Sequence, residues 1–305
     1  MDEHRRNEIG NELAAREAEY AAELAGTDEA LLDAAQEAVA HWNEWWRSPQ
    51  AVSSRLDVEG TLDRKFRICF PLCANAINQV EAALMTRANY PWVAKSCTRI
   101  AFEHALTAQW VLLTTDGEDR VKAHLDYKLH KQQQRFINDI RQISSSDQEF
   151  AQTAHGLSDE QLGSLIADAP QEQGLPKLDR LCGRFAGGGV NNLLYDIYAD
   201  LSAAIHPSWA LIRAHLRFSS AGEMVGISSY GLGGSDPLLG RELAISVLLA
   251  LYAVEVCRAG QRHAAQVRAL GERLGLPVDL RASDQEPSQQ PMDHSAYWNP
   301  ADGET

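Results

Sequence analysis

The run PWVAKSCTRIAFEHALTAQWVLL (Pro91–Leu113) decides the fold. Proline suits the first turn of a helix, where its missing N–H has no intrahelical acceptor to lose. The apolar residues that follow recur at helical spacing and crowd nearly every face, so this helix should be mostly buried. A helix covered on most sides needs neighbours, and almost every long segment around it shows helical rather than alternating periodicity. The expected fold is all-α: a multi-helix bundle with an N-terminal helical arm and a disordered C-terminal tail.

Working outward, residues 1–25 read as a polar, charged helix. Thr27, Asp28 and Glu29 look like an N-cap and acidic first turn for a helix carrying Leu31, Ala35, Ala38, Trp42 and Trp45. Trp42, Trp45 and Trp46 are a large apolar load, suited to docking this arm onto the body or onto a homo-oligomeric or protein partner. After a linker, a helix is expected from about Thr61 to Tyr90, bent at Pro71. Thr115 to Glu118 forms a capping-box pattern opening a helix that reaches about Ile143, and Ser158 to Gln161 offers a second box. A short helix then closes on glycines. The apolar run ending near Leu274 reads as one helix from about Leu238, and the preceding glycine-rich loop has room for a short hairpin. These readings divide the chain into an arm (1–48), a bundle core (60–275) and an acidic tail (276–305).

The chain has 305 residues and net charge −14, which opposes nucleic acid and anionic membranes. No leader pattern opens it, and its longest apolar run, Ala244 to Val254, is too short for a membrane span. Five cysteines without a C-x-x-C pair suggest reduced thiols and the cytoplasm, not zinc or disulfides. Gly187–Gly189 lacks the lysine of a phosphate loop, and no H-E-x-x-H occurs, so no cofactor and no metal are expected.

The chemistry gathers in two stretches. In YDIYADLSAAIHPSW (Tyr195–Trp209), Tyr195, Ser202 and His206 fall within roughly 40° on a helical wheel. Ile197, Leu201, Ala204 and Ile205 mark the core side, and Asp196 and Asp200 point elsewhere. His206 precedes Pro207, which should end or kink the helix. Its ring could satisfy a carbonyl orphaned there, or line a pocket as general base or ligand anchor. In the Pro91 helix, Arg99 and Glu103 share a face with large apolar residues, which is costly unless they are paired. The sharper expectation is that Arg99 and Glu103 meet Ser202 and His206 across a helix contact, making a polar cluster inside the bundle.

These residues carry a resemblance. Arg99-x3-Glu103, followed by Tyr198, Leu201, Ser202 and His206, resembles the bacterial all-helical family of unknown function DUF5677 over about residues 62–217. The resemblance implies the fold and the importance of both patches, with Tyr198 joining the binding candidates, and it implies no activity. A looser pattern, Arg99-x4-His104, is similar to the motif of HEPN-type ribonucleases. That likeness implies metal-independent RNA cleavage by Arg99 and His104, as in a bacterial defence or toxin system. The two side chains point about 140° apart on a regular helix. A ridge of Lys128, Lys131 and Arg135 would hold RNA in that reading, and is otherwise a solvated helix face. The leading expectation is a binding or regulatory module, in a bacterial defence or stress role, using Arg99, Glu103, Tyr198, Ser202 and His206.

Overall fold

The computed structural model describes residues 28–47, 58–142, 175–186, 189–219, 223–227, 238–261 and 263–282. The charged helix expected over 1–25, the linker, the Ser158 capping box and residues 283–305 lie outside the described residues.

Helix α1 covers residues 28–45. After a 3-10 turn come α2 (Asp63–Thr86), α3 (Pro91–Leu113) and α4 (Gly117–Gln142). Next are α5 (Leu178–Cys182), β1 (Phe185–Ala186), α6 (Val190–Ile205) and α7 (Trp209–Ala214). The hairpin β2 (Leu216–Phe218) and β3 (Met224–Ile227) precedes α8 (Leu239–Val256), α9 (Ala264–Arg273) and β4 (Arg281–Ala282). The fold is all-α, and among the described residues the strands form two two-stranded pairings, β1 with β4 and β2 with β3, both antiparallel.

Helices α2, α3 and α8 pack on one another as the frame, and α6 lies against α3. α8 is buried along nearly its whole length, with Leu243, Ile245, Leu248 and Leu249 fully enclosed. Pro91 occupies the first turn of α3. Tyr90, kept out of the helical region by the proline after it, sits at φ −137° and ψ 67° and separates α2 from α3. Pro71 lies inside α2 without ending it. By length and composition Gly60–Thr86 could cross a membrane. In this fold its Phe66, Cys69, Cys73, Ile77 and Val80 face is buried in the core.

From α3 the chain doubles back into α4 over three residues, and a glycine permits it. A Cβ on Gly117 would stand 2.7 Å from the Val111 backbone. The turn closes through the Gly117 N–H on the Thr114 carbonyl and the Arg120–Asp116 pair, without the Thr115 hydroxyl that the capping pattern predicted.

Two expectations move. The helix expected from Leu238 to Leu274 is two helices, because Gly260 (φ 77°) and Gln261 (φ 43°) are left-handed and cannot continue a right-handed ladder. The body also runs past residue 275: Leu276, Val278 and Leu280 are buried and Arg281–Ala282 pairs with β1.

α1 packs on the body. Leu31, Ala35, Ala38 and Trp42 are buried, and Trp42 stacks on Trp46 with ring centroids 5.6 Å apart. Phe66 and Phe70 of α2 complete this aromatic layer. Asp28 Oδ1 accepts the Gly240 N–H at 2.8 Å. Trp45 stays 42% exposed, beside His263.

A candidate polar site between α3 and α6

Lys95, Arg99 and Glu103 are spaced by four on α3, so they form one stripe. α6 lies along that stripe. Arg99 is only 8% exposed, and its guanidinium is held from three sides. Nη1 donates to Glu103 Oε2 at 2.9 Å, and Nε donates to Ser202 Oγ at 3.4 Å. The Tyr198 ring lies 5.1 Å from the guanidinium carbon, close enough for a cation–π contact. Tyr195 packs on Tyr198 with centroids 5.8 Å apart. Glu103 reaches solvent, so the stripe runs from a buried inner end to an open mouth.

The inner end was not expected. Lys95 is buried and bonds the Asp200 carboxylate of α6, while Glu242 of α8 stands 3.8 Å from the same ammonium. Three helices therefore meet on one cation. Burial works to raise the Asp200 pKa, but its neighbours Glu242 and Lys95 outweigh it and hold the carboxyl below its ordinary value. Asp200, expected to point elsewhere, is a central residue here. Glu242 had a visible signal: an acid directly preceding the apolar run LAISVLLALYAV.

His206 does not join the cluster. Pro207 forces it into an extended conformation (φ −103°, ψ 152°), and its side chain is exposed. Only its backbone N–H takes part, donating to the Ser202 carbonyl at 3.2 Å. The helix-end carbonyl of Ala203 is satisfied by the Ser208 hydroxyl at 2.6 Å, so the ring has no such task. Of the four groups expected together, Arg99, Glu103 and Ser202 meet, with Tyr198 as a fourth member.

Arg99 and His104 serve different interfaces. His104 is half-buried and faces α2, its Nδ1 2.9 Å from Asn75 Nδ2. Burial lowers its pKa, against a smaller opposing influence of Glu103, which favours the neutral ring. No acid–base pair forms between the two within the chain. On α4, Lys128, Lys131 and Arg135 are exposed, with Lys131 Nζ 4.6 Å from the centre of the Tyr127 ring. Leu125 and Leu129 of the same helix are exposed as well.

Four of the five cysteines are buried, and Cys97 is half-buried. All five are free thiols. Burial pushes Cys182 and Cys257 up to about 12, so both stay protonated at neutral pH.

Fold and site together define an all-α protein with a buried polar seam joining α6 to the frame. Residues 66–224, more than half of the chain, match the family of unknown function DUF5677, and the chain belongs to that family. The matched span contains both walls of the seam, whereas α1 and the Glu242 helix fall outside it. No curated protein and no solved structure matches the chain.

Proposed function

We propose that this chain is a binding or regulatory module that takes a small polar ligand at the mouth of the seam. One observation supports this most. Arg99 is locked by Glu103, Ser202 and Tyr198, while those three keep hydrogen-bonding capacity to spare. The Tyr198 hydroxyl, the Ser202 proton and the Glu103 Oε1 oxygen form no hydrogen bond among the described residues. Pre-organised groups of this kind bind without a further ordering cost. A ligand with both donors and acceptors fits them: Glu103 accepts, and Tyr198 and Ser202 donate. The five free thiols suit a reducing compartment, and we assign the chain to the cytoplasm.

The test compares small molecules released from purified native protein with those released from Tyr198→Phe and Ser202→Ala, using mass spectrometry. Both variants keep the backbone and side-chain volume, so unchanged circular dichroism is expected. A compound present near one per chain in the wild type should fall about tenfold in the variants, the effect of one or two hydrogen bonds. Identical extracts from all three proteins sink the reading.

A further inference from the structure

A second set of polar groups lies at the other end of α3, about 16 Å along the helix axis from Arg99. The end of α3, the start of α4 and the turn leading into β1 enclose a cavity of about 280 Å³. Trp110, Thr114, Thr115, Arg120, Arg184 and Phe185 line it. Two of these carry guanidinium groups, and they differ in one respect. Arg120 donates to Asp116 at 2.9 Å and is half-neutralised. Arg184 has no counter-charge: among the described residues no carboxylate pairs with it, and its Nε is buried without an acceptor.

An orphaned guanidinium N–H is unusual, because buried donors almost always find partners and a missing one is costly. The fold holds Arg184 in place nonetheless. Its backbone N–H donates to the Leu181 carbonyl at 2.9 Å, and the next residue, Phe185, is pinned by pairing with Ala282. Lys65 adds a further feature by donating to the carbonyls of Leu112 and Thr114, both at 2.7 Å. Those carbonyls form the negative end of α3, which would otherwise repel an anion.

We propose that this cavity binds a small metabolite bearing an oxyanion, either a carboxylate or a phosphate monoester. Arg184 takes the anionic head, Arg120 shares it, the threonine hydroxyls lie at its edge, and Trp110 and Phe185 face the apolar remainder. A planar guanidinium fork matches both oxyanions, and the volume limits the ligand to a small molecule rather than a polymer.

Titration calorimetry of the full chain in chloride buffer, with inorganic phosphate and with benzoate at matched ionic strength, tests this and separates the two head groups. One or both should bind and raise the melting temperature. Arg184→Gln should weaken binding about tenfold or more, as loss of a charge-assisted contact does. Arg184→Lys keeps the charge without the fork and should also weaken it. Among the described residues Arg184 has no side-chain partner to lose, so both variants should fold and melt in chloride no lower than the wild type. Ser202→Ala should bind these anions normally, which keeps this result independent of the seam. Absence of binding by both anions overturns the proposal. So does wild-type affinity in Arg184→Gln, or loss of binding in Ser202→Ala.

Discussion

Exchanging Lys95 for methionine should destabilise the chain by about 3 kcal/mol, measured as a lowered denaturant midpoint at pH 7. Methionine keeps most of the volume and the apolar stem, so little packing is lost. What disappears is the cation between Asp200 and Glu242. Two acids then face each other with no cation between them, one of them almost wholly enclosed, and the helices close only with a proton held on the pair. Asp200 is 36% exposed, which moderates the loss relative to a fully buried pair. The sign of the pH effect follows. In the wild type the Asp200 pKa lies below its ordinary value, so its contribution is present above about pH 4 and lost as pH falls further. In the variant the pair titrates upward, and its deficit should shrink as the solution is acidified. Adding Asp200→Asn and Glu242→Leu should restore most of the lost stability, because a neutral seam has no charge to strand. A loss under about 1 kcal/mol for Lys95→Met, as at a surface pair, would show that the three charges do not act together.

The seam also shows what a one-dimensional reading can reach. Spacing by four placed Arg99 and Glu103 on one face, and the wheel placed Ser202 on the side of α6 away from its core stripe. Their contact was legible because each helix needed only its own periodicity. Asp200 was not, because its significance comes from α8, and a wheel says nothing about which third helix covers an edge. His206 was misplaced for a local reason: helical angles were extended to a residue whose dihedrals Pro207 had already set. The break between α8 and α9 had a signal in CRAGQRH, where polarity and Gly260 interrupt the apolar run. The burial of Leu276, Val278 and Leu280 follows from Gly275 (φ 66°), which turns the chain back along α9, a tertiary event invisible in composition.

Glu255 should be the chief acid-sensitive tie between α1 and the frame. It lies on α8 with no solvent exposure and holds several partners at once. Trp46 Nε1 donates to it at 3.1 Å, Arg258 Nη1 reaches Oε2 at 3.1 Å, and His41 Nε2 stands 3.8 Å away, within ion-pair range but beyond hydrogen-bond reach. Burial alone would raise its pKa, yet His41, Arg258 and Trp46 together hold it below the ordinary 4.5. A group with a depressed folded value stabilises the fold above its unfolded pKa, and that stability fades as pH drops through the folded value. Glu255→Gln keeps the shape and removes the charge, so at pH 7 it should cost about 2–3 kcal/mol, the loss expected for hydrogen bonds to a charged acceptor. Because glutamine has no acid limb, the gap from the wild type should narrow steadily below about pH 4.5. Denaturant unfolding at pH 7, 5 and 3.5 reads the gap, and hydrogen exchange in residues 28–45 tells whether α1 loosens first. Trp46 gives the expected order: its indole bridges α1's aromatic layer to Glu255, so weakening that acceptor frees the arm before the frame. An equal gap at all three pH values, with α1 exchanging no faster than α3, would mean that the carboxylate's charge is irrelevant and that α1 is held by Trp42 and its apolar neighbours alone.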